Sequence, residues 1–230
     1  MVLDLKICPA CGDRAERPQV ESGLLVCAEC AHRWPFRRLP LFALTGPSGA
    51  GKSTVGPRLA ERLGDLALVV EQDVLWTGAL RDDVPGHPAF RSTWLRMAAM
   101  LHQNGRPVVL CGTVAPPEFE QLPERVFFSE IHYLALVSEP DALRKRLLAR
   151  PAWREWDEER VEEMLEFNEW LQREAPSLDP PVELFDTTHI PVDAAVDHVE
   201  LWVRGLLSGA QRFQGHSGQV RPSGESSQIT

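Results

Sequence analysis

The consecutive residues from Gly46 to Thr54 read Gly-Pro-Ser-Gly-Ala-Gly-Lys-Ser-Thr. Glycines at Gly46, Gly49 and Gly51 let the backbone curl until its N–H groups converge on an anion. A helix starting directly behind them adds the positive end of its dipole at the same point. The spacing predicts that Gly46, Ser48, Gly49, Ala50 and Gly51 cradle a polyphosphate while Lys52 reaches its β- and γ-phosphates. The Ser53 hydroxyl is set to ligate magnesium, and Thr54 to lie near the α-phosphate. The chemistry implied is the binding of ATP with Mg2+.

A second constellation precedes it. Cys8 and Cys11 form one Cys-x-x-Cys pair, and Cys27 and Cys30 another, with the 15 residues Gly12–Val26 between them. Four thiolates so spaced close a tetrahedral zinc site at about 2.3 Å per bond. Such a site has no open coordination position, so Zn2+ here is expected to be structural. His32 is a rival ligand that four cysteines make unnecessary. The pattern resembles a zinc ribbon. The remaining cysteine, Cys111, reads as a small buried residue at a strand end.

Both constellations need a scaffold. The apolar run Leu41–Leu44 leads into the phosphate loop, and Val55, Leu59 and Leu63 follow it at helical spacing. Further runs at Leu66–Glu71, Pro107–Cys111, His132–Val137 and Val182–Phe185 are continuous rather than alternating, as in strands covered on both faces. Helical patterns fall at Ser53–Leu63, Pro88–Gln103, Pro140–Ala149, Glu158–Glu174 and Val192–Leu207. This alternation predicts an α/β fold of three layers around a five-stranded parallel sheet with right-handed crossovers. Residues 1–39 read as a zinc ribbon and 40–207 as the α/β body. The tail 208–230 is rich in Ser, Gly and Gln and is expected to be disordered.

Lys and Arg number 24 against 33 Asp and Glu, a net charge of −9. That balance disfavours a broad basic surface for nucleic acid. The first residues show no apolar run behind a basic segment, and no apolar stretch reaches the length of a membrane span. With cysteines arranged for metal rather than disulfides, a soluble cytoplasmic protein is expected.

From Leu41 to Leu207 the chain resembles the P-loop small-molecule and nucleoside kinases, a group that includes shikimate, gluconate and adenylate kinases. The phosphate loop is the most specific part of the likeness. The run Leu66-Ala-Leu-Val-Val-Glu-Gln-Asp73 ends in carboxylates. The resemblance implies that Asp73, or secondly Glu71, holds the acceptor hydroxyl and acts as base. After Cys111 comes Gly112-Thr113, where motor ATPases carry an aspartate. That argues against an AAA- or ABC-type machine, and leaves magnesium to Ser53, phosphate oxygens, water and Asp73. The segment Leu143-Arg-Lys-Arg-Leu-Leu-Ala-Arg-Pro-Ala-Trp-Arg154 resembles the group's lid. The resemblance implies that Arg150 and Arg154 close over the phosphates and that Arg146 stacks on the base, because a planar guanidinium meets phosphate oxygens in pairs. The competing reading is a solvated basic helix face. Asp186-Thr187-Thr188 resembles the loop beside the adenine, or caps the last helix.

Between the second and third strands of the body, Leu75 to Met100 spans the acceptor side and holds Trp76, Arg81, Phe90, Arg91, Trp94 and Arg96. Arg91 and Trp94 are one helical step apart and could share a pocket for a flat, polar or anionic acceptor. Taken singly, each reads equally well as core packing or surface charge.

The combined expectation is an ATP-dependent phosphotransferase acting on a hydroxyl of a small molecule, a nucleoside or nucleotide-like acceptor. Lys52, Asp73, Arg150 and Arg154 would carry the transfer, with Glu71, Asp73, Arg91 and Trp94 at the acceptor. Two alternatives stand beside it. One is a polynucleotide 5′-hydroxyl kinase or other RNA-end enzyme whose ribbon holds nucleic acid. The other is a non-catalytic, ATP-gated module whose ribbon docks a protein partner. Residues 1–40 hold six basic residues against five acidic ones, so the nucleic-acid reading is not favoured.

Overall fold

The computed structural model describes residues 2–78, 80 and 82–214. At its centre is strand β4 (Leu41–Thr45), buried along its whole length. It pairs on one side with β6 (Val108–Cys111) and on the other with β7 (Ile131–Val137). The edges are β5 (Leu68–Glu71) and β8 (Val182–Asp186), giving the parallel order β5-β6-β4-β7-β8. Leu44 stands opposite both Cys111 and Leu134, so β4 and β6 reach their carboxyl ends nearly together, beside β7. The phosphate loop emerges from that end, where an open parallel sheet offers its crevice.

Side-chain alternation sends the strands' residues into two layers. Phe42, Leu44, Val109, Cys111, Leu134 and Leu136 pack with α1 (Lys52–Leu63) and α6 (Val192–Gln214). Leu41, Ala43, Val108, Leu110, Tyr133 and Ala135 belong to the opposite core, with α2 (Pro88–His102) and Leu171 of α5 (Glu158–Glu174). Both faces are covered, which is why the strand sequences run apolar without alternation. Each fully buried aliphatic side chain contributes about 1.5–3 kcal/mol, so the layers fix the register of the strand ends that carry the site.

The expected strands and helices are all present with ends displaced by a few residues. Short helices α3 (Pro116–Glu120) and α4 (Pro140–Leu148) complete the body. One expectation is corrected: α6 continues to Gln214, so residues 208–214 are helix rather than disordered tail. Leu206 and Leu207, where the polar stretch is expected to begin, still pack against the core. Residues 215–230 lie outside the described residues.

Before the body, β1 (Gln19–Glu21), β2 (Leu24–Val26) and β3 (Arg33–Pro35) form an antiparallel meander. Ser22 and Gly23 both have positive φ, 50° and 77°, as a two-residue primed hairpin turn requires. This small sheet is separate from the parallel one, yet its interior is not. Leu5, Cys8, Leu25, Cys27 and Trp34 sit in the same core cluster as Trp94, Leu95 and Ala98 of α2. Lys6 pairs with the buried Glu124 at 3.1 Å, and Asp4 with Arg96 of α2 at 3.0 Å. The linker is fastened too: Arg37 N–H donates to Gln103 Oε1 at 2.8 Å. No helix among the described residues is long and apolar enough to cross a membrane.

Candidate active site

The phosphate loop joins β4 to α1, and its glycines are dictated by space as well as by conformation. Gly46, Gly49 and Gly51 have φ of 125°, 90° and 107°, in the left-handed region that side chains resist. A Cβ on Gly46 would meet Leu136 O at 2.1 Å, and one on Gly49 would meet Leu143 Cδ1 at 2.9 Å. The loop therefore lies pressed between β7 and α4, with Gly51 as the N-cap of α1. Thr187 Oγ1 donates to Ala50 O at 3.0 Å, and Thr113 Oγ1 to Gly46 O at 3.3 Å, tying the loop to the ends of β8 and β6.

Lys52 Nζ reaches back to Gly46 O at 2.5 Å and Pro47 O at 3.0 Å, which holds the ammonium over the loop's hollow. Burial pushes its pKa from 10.5 down to about 8, while Glu71 and Asp73 pull the other way. The ammonium is thus charged at neutral pH. Lys52, Ser53, Glu71, Asp73, Arg150 and Arg154 all line one narrow cleft beside the loop. Glu71 is half-buried, and burial together with the Asp73 charge pushes its carboxyl pKa up. A lysine and inward-curled glycines fit a polyphosphate, and a hydroxyl beside two carboxylates is the hard oxygen set that Mg2+ takes. ATP·Mg2+ therefore fits the residues present.

Two larger clefts open on either side of this one. A cleft of about 330 Å³ is lined by Thr54, Arg146, Thr187, Ile190, Val192 and Ala195 among others. Arg146 spends the edge of its guanidinium on Thr187 O and Thr188 O, both at 2.9 Å.

The other cleft, about 590 Å³, lies across Asp73. Its floor carries Trp76, His87, Phe90 and Arg91, and its far wall Trp153, Trp156 and Arg160. Trp76 packs edge-on against both His87 and Phe90, with ring centroids 4.8 and 4.9 Å away. Asp73 lines both this cleft and the phosphate cleft, whereas Glu71 lines only the latter. Glu71, expected beside the acceptor, thus lies with the phosphate loop instead. Trp94 is also corrected: its ring is buried in the α2 core, its indole N–H donates to Gln72 O at 3.2 Å, and it does not line the cleft. Arg96 turns to Asp4 instead. Arg81 lies outside the described residues.

The arginine segment bridges the clefts. α4 stops at Leu148, and Pro151 sets the chain on a new path into α5. Arg150 lines all three clefts, and Arg154 the phosphate and acceptor clefts. Arg150 and Arg160 stack over Trp156 at 5.5 and 4.6 Å from its ring centroid. Burial, then the neighbouring Arg154 charge, lowers the pKa of Arg150.

Before the body, the Sγ atoms of Cys8, Cys11, Cys27 and Cys30 all lie within 4.8 Å of one another. Cys8 to Cys30 is 3.7 Å and Cys11 to Cys27 is 3.6 Å. Tetrahedral zinc with about 2.3 Å bonds needs thiolates about 3.8 Å apart, so the set fits Zn2+. His32 stacks on Trp34 at 5.9 Å and is not among the four.

Sequence reasoning missed Gln72, His87, Trp156, Arg160 and Met164, which line the acceptor cleft. Arg160, Glu163 and Met164 share one helical face, a period that was available to find them. It also missed Glu118, the ion-pair partner of Arg91, which no local pattern marks.

A family model described as an AAA domain matches residues 43–166. Among solved structures, a gluconokinase from Sinorhizobium meliloti aligns with TM-score 0.52 at 22% identity, covering 77% of this chain and 99% of that one. A sugar kinase from Janibacter sp. aligns with TM-score 0.51 at 17% identity, covering 74% and 95%. A shikimate kinase from Acinetobacter baumannii, solved with shikimate, gives TM-score 0.49 at 20% identity, covering 74% and 96%. Likeness at these identities is a likeness of fold, and the fold is that of P-loop kinases. No curated protein matches the sequence.

Proposed function

The chain belongs to the AAA domain family, and on that premise we propose that it is an ATP-dependent phosphotransferase acting on a hydroxyl of a small, nucleoside-like acceptor. The match runs from β4 into α5, so the Gly112 that argues in the sequence against an AAA-type machine does not decide membership. The chemical point about Gly112 stands, since it brings no carboxylate to magnesium there.

The observation that carries the reading is Asp73, which borders the phosphate cleft on one side and the acceptor cleft on the other. A hydroxyl held by Asp73 faces the terminal phosphate across Lys52 and the lid arginines. Phosphoryl transfer asks for little more than such positioning and charge neutralisation. Lys52, Arg150 and Arg154 balance the charge of the moving group, Ser53 and Glu71 offer oxygens to magnesium, and Asp73 takes the proton. The aromatic floor of the acceptor cleft favours a ring over an open chain, and the likeness to a gluconokinase and a sugar kinase supports a small hydroxylated acceptor.

The test is ADP release from ATP·Mg2+ by purified protein over a panel of nucleosides, nucleotides, sugars and hydroxy-acids, with Lys52→Ala as control. Release that depends on an acceptor and vanishes in the variant supports the proposal. ATP binding with no acceptor-stimulated release at any concentration refutes it.

A further inference from the structure

The charge of the acceptor can be read from what the cleft's cations are already doing. This inference rests on the phosphotransfer reading for its chemistry, though not for its test. Arg91 is the guanidinium in the floor of the acceptor cleft, and it is 7% exposed. Its Nε–H donates to Gly86 O at 2.6 Å and Nη1 to Thr113 O at 3.1 Å. Its Nη2 is taken by the Glu118 carboxylate in an ion pair. Glu118 is itself fixed, because its other oxygen accepts the Ala115 N–H at 2.6 Å. A carboxylate or phosphate brought to Arg91 would find the donors facing Glu118 spent and a like charge already in contact.

The surroundings push the same way. Asp82 accepts the Phe90 N–H at 3.1 Å, directly beside Arg91 in sequence, and Asp73 lies on the cleft's inner edge. On the far wall Arg160 gives Nη1 to Arg154 O and Glu155 O at 2.9 and 2.6 Å and stacks on Trp156. Arg150 and Arg154 also line the phosphate cleft, where the phosphotransfer reading assigns them to ATP. Among the described residues, the guanidinium in the floor of the acceptor cleft is therefore already held by a carboxylate, among aromatic rings. An anion set against that floor would lose its water without gaining Arg91 as a partner, which is costly.

We propose that Glu118, by occupying Arg91, restricts the acceptor to uncharged hydroxylated ring compounds such as nucleosides, and excludes anionic ones such as nucleoside monophosphates and hydroxy-acids. Selectivity here comes from a repulsive element as much as from contacts to the right ligand.

The test uses the full zinc-loaded chain with its nucleotide site filled by a non-hydrolysable ATP analogue and Mg2+. Calorimetry then measures binding of a pyrimidine nucleoside, its 5′-monophosphate and gluconate. Wild type is expected to bind the nucleoside at least ~10-fold tighter than either anion. Glu118→Gln keeps an acceptor oxygen for the Ala115 N–H while removing the charge, and is expected to gain at least ~10-fold in anion affinity. Adding Arg91→Gln to it is expected to abolish that gain. The proposal is overturned if wild type binds the monophosphate as tightly as the nucleoside. It is equally overturned if Glu118→Gln, folded by its melting curve, gains no anion affinity, or if the gain survives loss of Arg91. ADP release from ATP·Mg2+ by the same protein with the same probes, measured in parallel without the analogue, reports separately on phosphotransfer. Its absence with every probe would sink that reading and leave the binding comparison to decide the acceptor's charge.

Discussion

Gly112 and Gln72 share one volume at the end of β6: a Cβ on Gly112 would come within 2.0 Å of Gln72 Oε1 and 2.7 Å of Gln72 Cβ. Gln72 is buried, lies next to Asp73 in the chain, and lines the acceptor cleft. The glycine thus sets how closely β5 and β6 bring Asp73 to the phosphate loop.

Gly112→Ala is expected to cost about 1–3 kcal/mol by overpacking, because the clash reaches the Cβ of Gln72 and not only its mobile tip. A chain of this size would lose roughly 2–4 °C in Tm per kcal/mol. Thermal melts check this, and an unchanged Tm would show that the two residues do not compete for space.

Lys52 gives the nucleotide site a pH dependence. Its pKa of about 8 lies below the unperturbed 10.5 because burial disfavours the charge. The ammonium that meets the phosphates is intact below that value and is lost as pH rises through it. ATP affinity should therefore weaken above pH 8, by up to about tenfold per pH unit. Lys52→Ala should bind ATP weakly and without that slope. Titrations from pH 7 to 9.5 would separate the two proteins.

Asp73 and Glu71 should fail differently. Asp73→Asn keeps the shape and removes the proton acceptor, so kcat is expected to fall on the order of 10²–10⁴-fold while ATP binding holds. Glu71→Gln, on the phosphate side only, should mainly raise the Mg2+ concentration needed for half-maximal rate. Steady-state kinetics with varied acceptor and varied Mg2+ distinguish them. Equal effects on both axes would refute this division of labour.

Zinc removal should be felt in α2. The ribbon's Leu25, Cys27 and Trp34 share a core with Trp94 and Leu95, and Asp4 and Lys6 fasten it to Arg96 and Glu124. Cys27→Ser or a strong chelator is expected to lower Tm on the order of 10 °C, because metal affinity is folding free energy in such sites. Hydrogen exchange should speed up across residues 88–102, with α1 much less affected. Two independent melting transitions, with α2 protection unchanged, would mean the ribbon folds alone.

Much of this molecule was legible as sequence because its chemistry is local. Gly46 to Thr54 and the paired cysteines are contiguous or nearly so, and their spacing alone makes a phosphate cradle and a tetrahedral thiolate set. The strands could be read because burial on both faces removes the polar alternation. α6 was underestimated at its end because Ser208 and Gly209 look like tail, while Leu206 and Leu207 before them still pack on the core.

Trp94 shows the other side. Its three-residue spacing from Arg91 put both on one helical surface, yet that surface divides between core and cleft. Only the packing of α2 against the sheet and ribbon sends Trp94 inward and leaves Arg91 at the floor. The state of Arg91 depended on a still longer connection, since Glu118 lies 27 residues further along. The sequence by itself determined a phosphate cradle and a four-thiolate set that fits Zn2+, because backbone curl, dipole and ligand spacing act within a few residues. The tertiary structure alone decided which arginines are spent and which carboxylate borders both clefts. Those are properties of charges brought together across the sheet, and chain distance carries no record of them.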